Sequence, residues 1–196
     1  MSGPAVELRP RDTRGQHERR RRIVQAAAAL ASRGGVENMQ MRTVAKRAAV
    51  AIGTLYRYFP SKMHLLAAVA SEELALLEEG IRRRPPQAGD PAGQVVEVLM
   101  RAARGLMREP ELADAVVRSL LAAGPETDIG AGVSRLVLRV SAGPGGGPAE
   151  PDHAELVLAD SLAGVWVMEL AEVLRGRRTL DQAQLRLEIT ARRLLG

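Results

Sequence analysis

Thr54, Tyr56, Arg57, Tyr58 and Lys62 gather hydroxyl and cationic hydrogen-bond donors into one short stretch of chain. Donors of these types suit a polyanion. Tyr and Thr hydroxyls bond phosphate oxygens, Arg pairs with phosphate or a guanine edge, and Lys adds a point charge. The same stretch holds Tyr56, Tyr58 and Phe59, three of the four aromatic residues in the chain; the fourth is Trp166. Leu55 and Phe59, four apart, share one helical face and anchor it inward, which leaves Tyr56 and Tyr58 to present their hydroxyls to a polar partner.

Other chemistry finds little support. His17, His64 and His153 are isolated, so no helical metal pair forms. Neither a G-x-S-x-G nor a P-loop pattern occurs. The glycines of 143–147 follow a helix rather than a strand and are flanked or interrupted by proline, which reads as an inter-helix loop. Glu72–Glu73 and Glu78–Glu79 read as solvated helix faces. The chain has no cysteine, which excludes disulfides, thiolate catalysis and cysteine-based zinc sites. No enzyme activity, metal or cofactor is expected.

The charge is divided. Of 196 residues, the first 62 carry 13 basic and 4 acidic side chains, and the remainder carry 15 and 19. A basic module is thus joined to a mildly acidic one, and only the first suits a polyanionic partner. The Arg-rich start has no apolar core for a signal peptide, and no run is long and apolar enough to span a membrane. A cytoplasmic location is expected.

Those donors must be held by helices. Residues 1–16, with Pro4, Pro10, Gly3 and Gly15, read as a disordered basic arm, either a solvated tail or one that touches phosphates. Ile23, Ala27 and Leu30 set the inner stripe of a first helix over about 18–32, ended by Gly34–Gly35. A short helix over 40–48 faces inward through Met41, Val44, Ala45 and Ala48. After a tight turn at Ala49–Val50, a third runs over 51–58 and stops before Pro60. Ser61 sits at the N-cap position of a long fourth helix reaching about Arg83. Further helices fit 93–108, 110–122, 127–141, 152–174 and 180–195, the last opened by a Thr179–Gln182 capping box. No strand alternation appears, so the fold class is all-α, with about nine helices.

Two short helices joined by a tight turn inside a basic region form the pattern of a helix-turn-helix. The second helix must be slim enough for a groove about 12 Å wide, and Ala51, Gly53 and Thr54 are small. Lys62 lies at the start of the fourth helix, where a cation and free backbone amides make an anion site.

The run Ala48-Ala49-Val50-Ala51-Ile52-Gly53-Thr54-Leu55-Tyr56-Arg57-Tyr58-Phe59-Pro60-Ser61-Lys62, with Thr43-Val44-Ala45 before it, resembles the DNA-binding motif of TetR-family transcriptional regulators. The resemblance covers about 17–77. It implies a DNA-binding domain over 17–77 (motif 40–59) and a C-terminal domain over 78–196 that binds an effector and dimerises through its last two helices. It also implies phosphate contacts from Tyr56, Tyr58 and Lys62, a groove-reading helix carrying Ile52, Gly53 and Thr54, and a preceding helix opened by Arg42 and Thr43. The family usually has Gly where this chain has Ala49, and often Ser where it has Ala51. A positive φ at Ala49 would then carry strain. Residues 51–66 with 36–42 are also similar to the KstR-type actinobacterial repressors of sterol catabolism, which are associated with acyl-CoA-like steroid effectors.

The resemblance thus implies a homodimeric repressor of a near-palindromic double-stranded DNA operator, released by a small, bulky apolar effector. A regulator without such a ligand, controlled by a protein partner, is the alternative. Met100, Arg104, Met107, Leu120 and Trp166 are the candidate effector contacts, drawn from helices rich in Leu, Val, Ala and Met. Residues such as Leu156, Leu162, Trp166 and Leu170, with Ala183, Leu187 and Ala191, form broad apolar faces on the last two helices. These faces either pair two copies or complete the monomer's own core.

Overall fold

A computed structural model describes residues 11–122, 129–143 and 150–196. Among them are nine helices and no strand: α1 (Arg11–Asn38), α2 (Met41–Arg47), α3 (Ile52–Tyr58), α4 (Lys62–Arg83), α5 (Pro91–Leu106), α6 (Pro110–Leu121), α7 (Ile129–Ser141), α8 (His153–Leu174) and α9 (Leu180–Leu195). The all-α architecture expected from periodicity and stop signals is present. Among the described residues, no helix is long and apolar enough to cross a membrane.

Helix α1 departs from expectation at its start. It begins at Arg11, so 11–16 are helical rather than part of a disordered arm; residues 1–10 of that arm lie outside the described residues. Nothing in 11–16 is proline, and Arg and Gln favour helix. The helix breaks at the glycine pair, where Gly35 has φ 66, a left-handed conformation that glycine alone adopts without penalty. Met39, just beyond, is fully buried and plugs the space under α2.

Two apolar clusters form. The first joins Ile23, Val24 and Ala27 of α1 with Val44 and Ala45 of α2, Leu55 and Phe59 around α3, and Leu65–Ala70 of α4. It also takes in Leu112, Ala115 and Val116 of α6, so α1 and α4 rest on a helix from the C-terminal half. The second cluster gathers α5, α7, α8 and α9 around Leu99, Val137, Leu162, Leu170 and Leu187. Helices α4 and α7 approach closely at Gly132, where a Cβ would stand 2.7 Å from the Leu74 Cδ2 atom.

Most of the apolar stripe of α8 and α9 completes the monomer's own core: Leu162 and Ala191 are inaccessible, and Leu187 nearly so. A different apolar set points outward, namely Val157 and Met168 of α8 with Leu185 and Ile189 of α9. Both helices are therefore apolar on more than one side. Their pairing is held by Glu169, which is 3% exposed and accepts from Arg178 Nη1 and Arg186 Nε, each at 2.7 Å.

Candidate nucleic-acid interface

Helix α2 ends in a Schellman-type turn. The Val50 amide donates to Ala45 O at 3.0 Å and the Ala49 amide to Lys46 O at 3.2 Å. The left-handed position of this motif is usually glycine. Here it is Ala49, at φ 52. Neither α2 nor α3 has a side-chain cap, because Gln40 and Ala51 occupy those positions without capping bonds. The pair is fixed from beneath instead. Val44 and Leu55 are inaccessible, and Ala45, Ala48 and Phe59 are nearly so.

Relieving the turn is expected to stabilise the protein. A left-handed alanine costs about 1–2 kcal/mol, against a glycine entropy cost of about 0.5–1 kcal/mol. Ala49→Gly should raise stability by up to about 1 kcal/mol in urea denaturation. No gain would mean that the turn carries no strain.

With the inner face so occupied, the outer face of the pair is open. Arg42 and Thr43 are exposed in the first turn of α2. On α3, Ile52 is 39% and Tyr56 48% exposed, while Gly53 and Arg57 are also exposed and Thr54 is half-buried. Gly53 has open space around it, so a surface can approach the backbone there. Tyr58 is half-buried against the first cluster, its ring 6.4 Å from that of Phe59. Lys62 is half-buried as the first residue of α4. Ser61 caps that helix as its sequence position predicts: its Oγ accepts from the His64 amide at 3.3 Å and lies 2.7 Å from His64 Nδ1.

One contact is not evident from spacing. The Arg20 guanidinium stands over the Phe59 ring at 5.4 Å from its centroid, a cation–π pair linking α1 to the end of α3. The arginine run 19–22 offers a signal, but only the fold brings one member to Phe59.

The five expected effector contacts do not converge. Leu120 and Trp166 line a cavity of about 250 Å³ between α4, α5, α6, α7 and α8. Met100 and Arg104 lie instead on a groove shared with α9, where Arg104 Nη2 donates to Gln184 Oε1 at 2.7 Å. Met107 lines neither and packs half-buried against the second cluster. Positions 100 and 104 are one helical turn apart and share a face, whereas the cavity is met by Arg101, Ala102, Gly105 and Leu106.

Charge in the cavity comes, among the described residues, from Glu73 and Arg101. Burial first, then the nearby Glu109 and Glu72 carboxylates, push the Glu73 carboxyl above its ordinary value. Arg101 is already engaged: it donates to Glu97 Oε1 at 2.8 Å and to the Arg84 carbonyl at 2.6 Å. Glu97 in turn accepts from the Gln87 amide at 2.7 Å and the Ala88 amide at 3.3 Å. The Gln87 bond is the leading cause that holds its carboxyl below the usual range; desolvation, the next in size, opposes it, and the Ala88 bond and Arg101 add to the lowering. Trp166 Nε1 donates to Leu99 O at 3.0 Å, which satisfies the indole and turns its apolar surface to the cavity.

Comparison with known proteins gives concordant matches. The family model for bacterial regulatory proteins of the tetR family matches residues 23–69, and a tetracyclin repressor-like C-terminal domain matches 89–194. The HTH-type transcriptional repressor KstR of Rhodococcus jostii is 38% identical over 186 residues, covering 92% of this chain and 84% of the relative. KstR of Mycobacterium tuberculosis is 33% identical, covering 92% and 82%. A TetR transcriptional regulator from Rhodococcus sp. RHA1, known from its crystal structure, superposes with a TM-score of 0.77 at 32% identity, over 93% of this chain and 97% of that one. The transcriptional repressor QsdR of R. erythropolis shares the fold, with a TM-score of 0.62 at 21% identity, over 88% and 93%.

Proposed function

The chain belongs to the tetR family of bacterial regulatory proteins and is a KstR-like transcriptional repressor, not an enzyme; on that premise we propose that it works as a ligand-responsive homodimer on a near-palindromic operator. The observation that carries the reading is the α2–α3 pair. Its inner face is closed by Val44, Leu55 and Phe59, and its outer face offers Arg42, Thr43, Tyr56 and Arg57 beside the start of α4. In this reading α3 lies in the major groove with Ile52, Gly53 and Thr54 toward the base edges. Tyr56, Tyr58 and Lys62 hold phosphates, and Arg57 meets phosphate or guanine.

The dimer would form through the outward side of α8 and α9, where Val157, Met168, Leu185 and Ile189 leave apolar surface in water. The reading units are residues 17–77 and the effector and dimerisation units 78–196. A bulky apolar effector, of the steroid or acyl-CoA type associated with the KstR resemblance, would enter the cavity beside α4 and bias the dimer toward a state whose two reading helices no longer match grooves about 34 Å apart. The cavity supports this over control by a protein partner alone.

A gel-shift assay with DNA from upstream of the protein's own gene tests the reading. A discrete complex that resists non-specific competitor is expected; binding indifferent to sequence would sink it. In the same assay Tyr56→Phe should weaken the complex about tenfold, the worth of one charge-assisted hydrogen bond. The melting temperature should not move, because the ring is 48% exposed. Unchanged affinity would remove the hydroxyl from the interface.

A further inference from the structure

The cavity between α4 and α8 contains a polar group that the fold does not use. Its walls are mostly apolar, with Leu74, Leu77, Leu106, Val116 and Trp166 among them. Glu73 projects from α4 on the same face as Leu77, one turn on. Among the described residues, no donor hydrogen-bonds to its carboxyl. A half-buried carboxyl against apolar walls is a poor choice for a helix whose only task is packing. Arg101, the other charged side chain there, is held by Glu97 and the Arg84 carbonyl. Among the described residues, Glu73 is therefore the charged group of this cavity without a protein hydrogen-bond partner, its carboxyl left to water or to a ligand.

We propose that the cavity selects an uncharged apolar molecule carrying a hydroxyl group, with the hydroxyl bonded to the Glu73 carboxyl and the hydrocarbon body against Leu77, Leu106, Val116 and Trp166. The proposal rests on the ligand-responsive reading above and adds the chemistry of the end that enters first. A hydroxyl both donates and accepts, so it satisfies Glu73 whether the carboxyl is ionised or protonated. A ketone only accepts, so it bonds Glu73 only while the carboxyl is protonated, whereas the hydroxyl bonds both forms. A ligand carboxylate would meet Glu73 in a space where Glu72 and Glu109 already add negative potential. An ammonium would give up its hydration against these walls, and burial, the leading influence on Glu73, itself favours the neutral acid. Any charged extension of an effector, such as a nucleotide carrier, would remain outside.

Trp166 is the chain's one tryptophan and it lines the cavity, so its fluorescence reads occupancy directly, without DNA. The probes are menthol, menthone, menthylamine and menthanecarboxylate, one compact carbon frame with four end groups. Menthol is expected to shift the emission saturably and to bind about tenfold more tightly than menthone or the carboxylate, the difference of one well-made hydrogen bond. Glu73→Leu should abolish that preference, and Glu73→Gln, which keeps an accepting oxygen and the size, should retain menthol binding. The proposal is overturned if no probe gives a saturable shift, if the carboxylate or the amine binds as tightly as menthol, or if Glu73→Leu leaves the order unchanged. Operator release is measured separately. Glu73-dependent menthol binding that leaves the operator complex intact would uphold the site and overturn the ligand-responsive reading.

Discussion

Replacing Arg178 and Arg186 together by alanine should cost about 3–5 kcal/mol, as expected when a buried charge loses its partners. For a chain of this size that is a fall in melting temperature on the order of 6–20 °C. The cost comes from the carboxylate rather than from the arginines. Arg186 has 55% of its side-chain surface in water and Arg178 28%, whereas Glu169 has 4%. Exposed partners lose little by themselves, but Glu169 would be left inside the contact of α8 with α9 with both bonds gone. Adding Glu169→Met to the double variant should restore most of the loss, because an apolar side chain of similar size needs no partner there. Thermal denaturation of the three proteins checks this. A loss under about 1 kcal/mol for the double variant would show that water replaces the arginines at Glu169. The two helices carry the proposed dimer face, so sedimentation of the double variant should also show weakened self-association.

The second large effect is expected at Phe59. Its ring is 3% exposed, packs in the first cluster, and carries the Arg20 guanidinium on its face. Phe59→Ala should destabilise by about 3–5 kcal/mol, the range for emptying an aromatic site in a core. Function should suffer beyond the stability loss. Phe59 ends α3, and its amide bonds to Leu55 O at 2.9 Å, so the ring anchors the helix that carries Tyr56 and Arg57. Operator affinity should fall more than tenfold even at a temperature where circular dichroism reports a folded chain. Phe59→Leu, which refills part of the space, should lie between. An alanine variant that binds operator normally would mean that α3 is positioned by Leu55 and Val44 alone.

The helices are legible in the chain because their signals are local. The spacing of Ile23 and Ala27, the stop at Pro60, the cap at Ser61 and the Thr179–Gln182 box each act within a turn or two, and each appears in the structure. The strain anticipated at Ala49 is likewise a property of one residue's backbone, and its φ of 52 meets that expectation. The start of α1 is less legible, because the proline and glycine of the first ten residues mark an arm without marking where it ends.

What local signals cannot say is which distant surfaces meet. Helices α8 and α9 are apolar on more than one side, so periodicity marks several stripes without ranking them; only packing shows Leu162 and Leu187 inward and Met168 and Ile189 outward. Choosing cavity contacts along α5 by side-chain type fails for the same cause, since Arg101 and Leu106 meet the cavity while Met100 and Arg104 turn to α9. Nothing near Leu112 announces that α6 will join the cluster under α1. Glu73 beside Glu72 looks like one more solvated pair, and becomes a candidate ligand contact only once α5 to α8 enclose it. A short-range pattern encodes the element and its cap, whereas a cavity, a buried carboxylate and a helix–helix seam are set by side chains tens of residues apart that the chain brings together only on folding.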